Sequence, residues 1–154
     1  MPDVFGVSAS DCILPIVPMF HVNAWGSIYV GPMTGTKIVL PGAKMGDGET
    51  LQHLIETEGI TVSMGVPTVW LNLLAYLNES GKSVPTLKRL YVGVAACPSS
   101  VITEMKDKYD VNVHVAWGMT EMRPLGTVNM FKPSMEHLEG EALLEAKLRA
   151  GRGI

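Results

Sequence analysis

The chain has 154 residues, a formal charge of −3, and is 47% hydrophobic and 18% charged, a size and composition suited to one domain with a single core. No apolar run approaches the ~20 residues of a membrane span. The 12 lysines and arginines are scattered rather than gathered into a stripe, so no nucleic-acid partner is indicated. Cys12 and Cys97 lie far apart without CxxC spacing, and Met1 to Gly6 shows no basic stretch leading into an apolar one. Together these indicate reduced thiols and a cytoplasmic location. The apolar surplus, ten methionines included, fits either a large core or a piece whose partner surface is missing, which leaves room for a homodimer.

In chain order, Cys12 to Val17 and Lys37 to Leu40 are short apolar runs of strand length, followed by a Gly-rich loop at Pro41 to Gly48. Asp47 to Glu58 opens with acidic residues and sets Leu51, Leu54 and Ile55 on one helical face. Strand Ile60 to Met64 precedes helix Thr68 to Asn78, whose face carries Val69, Leu73, Leu74 and Leu77. Strand Leu87 to Val94 precedes helix Pro98 to Tyr109, with a proline in its first turn, and strand Val111 to Ala116 follows. The tail from Ser134 to Arg149 has the spacing of one more helix. Strands that are apolar throughout are buried on both faces, and their alternation with helices predicts an α/β fold: one domain over residues 1–154, with a mostly parallel sheet of about five strands covered by helices.

Two phosphate-loop lookalikes fail on context. Gly81-Lys82-Ser83 has Tyr76 where the earlier glycine should stand, and Thr34-Gly35-Thr36-Lys37 leads into a strand instead of a helix. No GxSxG elbow, HExxH or zinc-spaced Cys/His set occurs. The informative stretch is Trp117-Gly118-Met119-Thr120-Glu121, directly after an apolar strand, where α/β sheets bind ligands. An aromatic plane can stack on a base, glycine admits close backbone approach, a hydroxyl can reach a phosphate oxygen, and a carboxylate can hold magnesium. On chemistry alone the plainer account is favoured, a core tryptophan followed by a helix cap.

Trp117 to Glu121 resembles the aromatic-Gly-x-Thr-Glu signature of the adenylate-forming (AMP-binding) superfamily, and Met122 to Thr127 resembles its continuation in medium- and long-chain fatty acyl-CoA synthetases. Val17 to Gly26 is similar to that family's PMFHxxxW segment, Gly65 to Trp70 to its GVPT helix start, and Gly93 to Pro98 to its GGSACP adenine loop. The four segments stand in family order across nearly the whole chain, which on this resemblance is an internal piece of the large N-terminal domain. The family's phosphate loop would lie upstream of it, and the ribose-binding aspartate and catalytic lysine downstream.

The resemblance implies the fatty-acid, ATP and CoA reaction that yields acyl-CoA, AMP and pyrophosphate, with Mg2+ as the metal. It places Trp117 on the adenine ring, with Gly118, Met119 and the backbone of Val94, Ala95 and Ala96 along the nucleotide. Thr120 would contact phosphate, Glu121 would hold Mg2+, and His21 would stand near the acyl carboxylate. Trp25, Val66, Pro67 and Thr68 would border the acyl tunnel. Val94 departs from the family pattern, adding a Cβ where a glycine is usual, and Arg123 replaces a common serine. The alternative is a non-catalytic α/β scaffold or weak nucleotide-binding module.

Overall fold

The computed structural model describes residues 2–122, 124–130, 135 and 137–153. Among these residues, seven strands form one sheet in the order β2-β1-β3-β4-β5-β6-β7. Five are parallel: β1 (Cys12–Ile16), β2 (Lys37–Ile38), β3 (Val62–Gly65), β4 (Arg89–Val92) and β5 (Asn112–Gly118). These are the five expected runs. Two more, β6 (Leu125–Val128) and β7 (Arg152–Gly153), extend the sheet antiparallel at one edge.

Side chains alternate between two cores along each central strand, as the period of two requires. Leu14, Ile16, Leu90, Val92, Val113 and Val115 face the larger core, where they meet α4 (Gly48–Glu58), α5 (Pro67–Ser80) and α6 (Ser99–Tyr109) through Leu51, Ile55, Trp70, Leu73, Val101 and Met105. Ile13, Val62, Met64, Tyr91 and Ala116 face the other way, against Phe5 of α1 (Pro2–Phe5) and Val30 of α3 (Ser27–Thr34). Both faces are covered, which is why the strand sequences are apolar almost throughout. Asp47 caps α4, its carboxylate accepting the Thr50 amide at 2.9 Å.

The tail helix is shorter than its spacing suggests. Ser134 and Glu136 fall outside the described residues, and α7 spans Gly140–Leu148. Glu139 is extended and Gly140 has φ 54°, so the backbone turns there and cannot run on helically from residue 137. Asn129, 8% exposed, secures the far end of α7: its amide nitrogen lies 2.6, 3.0 and 2.8 Å from the carbonyl oxygens of Ala146, Lys147 and Arg149. One side chain thus satisfies carbonyls that a helix end otherwise leaves open.

The backbone carbonyl of Asn129 accepts from His114 Nδ1 at 2.9 Å, and the His114 ring stacks on Tyr91 with centroids 5.2 Å apart. The Tyr91 hydroxyl donates to the Phe5 carbonyl at 2.7 Å, and burial pushes its pKa up to about 12. Burial lowers the His114 pKa below the ordinary 6.5, outweighing the carbonyl contact, and the nearby Arg89 and Lys147 charges act in the same direction. For Asp11, burial raises the pKa, but the Thr61 hydroxyl, Ser8 and the Arg89 guanidinium 2.9 Å away together hold it below 3.8.

Both groups therefore bind a proton less readily in the folded chain than in the unfolded one. The His114 contribution is full above pH 6.5 and is lost as pH falls through the lowered folded value; the Asp11 contribution is full above pH 3.8 and is lost below it. Thermal melts are expected to shift downward as pH falls below 6.5, by no more than about 1.4 kcal/mol per pH unit for one proton, until the lowered folded value is passed. His114→Gln should flatten that limb and leave the limb below pH 4 in place. An unchanged slope in the variant would assign the effect to another group.

Candidate functional site

A cleft of about 300 Å3 opens at the C-terminal ends of the parallel strands, the usual ligand position in open α/β sheets. Three segments build it. From the loop after β1 come His21, Val22 and Trp25; from the end of β4, Gly93 and Val94; from the end of β5 and the turn beyond it, Ala116 to Glu121 with Pro124 and Leu125.

The first segment has an uncommon backbone. Val22–Trp25 form a single turn, α2, in which all four residues have φ between 46° and 55°. For L-residues this left-handed conformation costs roughly 1–2 kcal/mol per residue, so the surrounding structure must hold it. Trp25 is buried at 7% exposure, and its ring edge comes to 3.2 Å from where a Cβ on Gly93 would stand. The same core holds Val62 and Met64 of β3 and Tyr91 of β4 beside Trp25. The Ser27 hydroxyl donates to the Ala24 carbonyl at 2.8 Å and closes the turn.

Val94 has φ 74° and is 70% exposed at the cleft. A β-branched residue rarely occupies that region, because its Cβ crowds the backbone. Its side chain stands where a glycine would leave the backbone open, which is the departure noted in the sequence.

Strand β5 delivers the third segment. Its pairing with β6 is irregular at Trp117/Gly118: Trp117 pairs with Thr127 and Gly118 with Leu125, so Gly126 is an extra residue on β6. Bulges of this kind re-aim side chains beside binding sites. Trp117 is 48% exposed and faces the cleft. Gly118 is required by a close approach, since a Cβ there would run into the Pro124 carbonyl oxygen. Thr120 and Glu121 follow in a 3-10 turn (Thr120–Met122), both exposed, with the Met122 amide donating to the Met119 carbonyl at 2.9 Å.

His21, Trp25, Val94, Trp117, Gly118, Met119, Thr120 and Glu121 therefore line one cleft. Ala95 and Ala96 are exposed and are not among its lining residues. Nor are Val66, Pro67 and Thr68, which begin α5, with Pro67 buried and Thr68 exposed. Val22, Gly93, Ala116, Pro124 and Leu125 join the lining without having been singled out as site residues; all but Ala116 lie inside the quoted segments and Ala116 adjoins Trp117, and that membership was the available signal. Among the described residues no three His, Cys, Asp or Glu side chains converge as a metal cage. A lone accessible carboxylate such as Glu121 still suits Mg2+, which takes one or two carboxylates and completes its shell with phosphate oxygens and water. No helix among the described residues is long and apolar enough to cross a membrane.

The chain is 48% identical over 98% of its length to 3-methylmercaptopropionyl-CoA ligase of Ruegeria lacuscaerulensis, and 47% identical over 99% to medium-chain-fatty-acid–CoA ligase of Ectopseudomonas oleovorans. It spans 28% of the length of each of these curated relatives. Its fold matches the crystal structure of a long-chain-fatty-acid-CoA ligase from Archaeoglobus fulgidus with a TM-score of 0.78 at 23% identity, covering 99% of this chain and 30% of that one. The family model for the AMP-binding enzyme matches residues 1–146, and the chain belongs to that family.

Proposed function

We propose that this chain supplies the adenine-facing and acyl-facing walls of an ATP-dependent, AMP-forming acyl-CoA ligase. The observation that supports this most strongly is the convergence of His21 and Trp25, Val94, and Trp117 to Glu121 on one cleft from three separate strand ends. In the first step a carboxylate oxygen attacks the α-phosphate of ATP and pyrophosphate leaves. In the second, the CoA thiol displaces AMP from the acyl carbon. Trp117 stacks on adenine, and Thr120 donates its hydroxyl to a phosphate oxygen. Glu121 would hold Mg2+, which when bound would offset the charge developing on the phosphates. His21 stands beside the acyl carboxylate, and Trp25 closes the acyl end. The buried, apolar surroundings of Trp25 favour a medium or long aliphatic acyl group, with aryl acids the competing class.

Turnover needs more donors than one cleft wall provides, and each missing preorganised donor costs roughly a hundredfold or more in rate. The chain alone is therefore expected to give no pyrophosphate with ATP, Mg2+, CoA and fatty acids from short to long. It should nevertheless bind AMP weakly, detected as quenching of Trp117 emission, and Trp117→Ala should abolish that response. Glu121→Ala should weaken Mg2+-dependent ATP binding and leave AMP binding unchanged. AMP binding that survives Trp117→Ala, or ATP binding indifferent to both Mg2+ and Glu121→Ala, would overturn the assignment. The crowded backbone at Val94 favours a second reading, a nucleotide-binding scaffold without catalysis. Under that reading, Val94→Gly raises AMP affinity but restores no turnover when the remaining parts of a relative are supplied in trans.

A further inference from the structure

The turn after the Thr120–Glu121 pair does more than connect two strands. A Cβ placed on Gly126 would lie 2.7 Å from both the sulfur and the terminal methyl of Met122, and 3.0 Å from Cζ3 of Trp117. The thioether and the indole edge thus both border the space over the one residue of β6 that offers no side chain, which puts them within about 5.7 Å of each other. Gly126 is also the extra residue of the bulge opposite Trp117/Gly118, and it is buried. Thioether sulfur beside an aromatic ring edge is a favourable contact. Trp117 lies beside this bulge, outside the core that its strand neighbours Val113 and Val115 occupy, and lines the cleft instead.

We infer that Met122 and Gly126 form a seat that fixes the plane of the Trp117 ring, which makes Met122 a positioning residue for the nucleotide. The inference rests on the nucleotide reading above for its purpose, but the seat itself is a statement about Trp117. A tryptophan 48% exposed on a strand end would otherwise sample several rotamers, and a stacking platform loses affinity by the entropy of ordering it on binding. Glycine at 126 leaves room for the methionine, and the methionine fills that room. Neither residue works without the other.

The test uses the intact 154-residue chain with AMP as the probe. Trp25 and Trp70 are buried, so acrylamide quenching and the fast component of emission anisotropy report mainly on Trp117. Met122→Ala empties the seat without touching the core, since Met122 is 42% exposed. It is expected to raise quenching about twofold, lower the anisotropy, and weaken AMP by up to about tenfold. Met122→Leu should restore most of all three. Gly126→Ala alone should disturb Trp117, whereas Met122→Ala combined with Gly126→Ala should recover part of the loss, because the new methyl takes up the vacated space. Unchanged quenching and anisotropy in Met122→Ala would overturn the seat, whatever AMP does. If AMP fails to perturb Trp117 even in the parent chain while Met122→Ala still frees the ring, the seat stands and the nucleotide reading falls.

Discussion

Replacing Gly118 with alanine is expected to destabilise the chain by about 2–4 kcal/mol and to dismantle one wall of the cleft. The methyl would be driven into the Pro124 carbonyl oxygen, with the Pro124 carbonyl carbon at 2.9 Å and the Leu125 Cα at 3.1 Å. All three are backbone atoms, so no rotamer change relieves the contact. Overpacking normally costs 1–3 kcal/mol, with more where the backbone must move. The relief available is separation of β6 from β5 at the bulge, which would pull Pro124 and Leu125 out of the cleft lining. Urea melts followed by circular dichroism measure the first effect, and loss of AMP quenching at Trp117 measures the second. A variant of parental stability would mean that the Pro124 turn can shift freely.

Trp70 gives the other large effect, and the contrast between two substitutions is what makes it informative. It is wholly buried in the larger core, among the biggest fully enclosed side chains, with its ring 3.1 Å from the Cβ position of Gly65. Trp70→Ala should cost about 3–5 kcal/mol. Its indole Nε1–H, however, has no hydrogen-bond partner among the described residues. A buried donor left unpaired costs about 1–3 kcal/mol, and phenylalanine removes that donor while keeping most of the ring. Trp70→Phe should therefore stay within about 1.5 kcal/mol of the parent. If phenylalanine costs as much as alanine, the nitrogen is satisfied in solution, by a buried water.

The sequence made the parallel half of this fold legible because each of those strands is buried on both sides. Near-unbroken apolar runs such as Ile13-Leu14 and Leu90-Tyr91-Val92 leave little else to read, and α4, α5 and α6 show plain helical spacing. Strand β6 was hidden because Leu125-Gly126-Thr127-Val128 is short, holds a glycine, and earns its strand geometry from pairing across a bulge. The α7 boundary was hidden by the backbone turn at Gly140. Helix α3 contains Gly31 and Pro32, which argue against a helix until its buried Ser27 and Val30 are seen packed on the sheet.

At the site, the motifs brought His21 and Trp25 together with Trp117 to Glu121 because each follows a strand end. They could not say which strand ends share an opening. Trp25 packs against Gly93 at the end of β4, and the residues that follow β3 directly do not line the cleft. Nor does a linear pattern reveal that Gly118 is small to admit Pro124 and that Gly126 is small to admit Met122. Both requirements come from a turn folding back on its own motif.

The position of β1 between β2 and β3 has a consequence for chain connectivity. Its partner β3 is reached only after a long excursion, as the 49-residue separation between the Ser63 hydroxyl and the Leu14 carbonyl it binds at 2.6 Å records. Loop-closure entropy grows only logarithmically, about 0.6 kcal/mol for each doubling of length. Within that excursion, Gly42 and Gly46 have no atom within 4 Å of an added Cβ, and residues 42–44 are all exposed. At that point extra residues would cost the sheet little, which makes the stretch between β2 and α4 a natural place to splice in a tag or reporter without disturbing the cleft on the opposite side of β1.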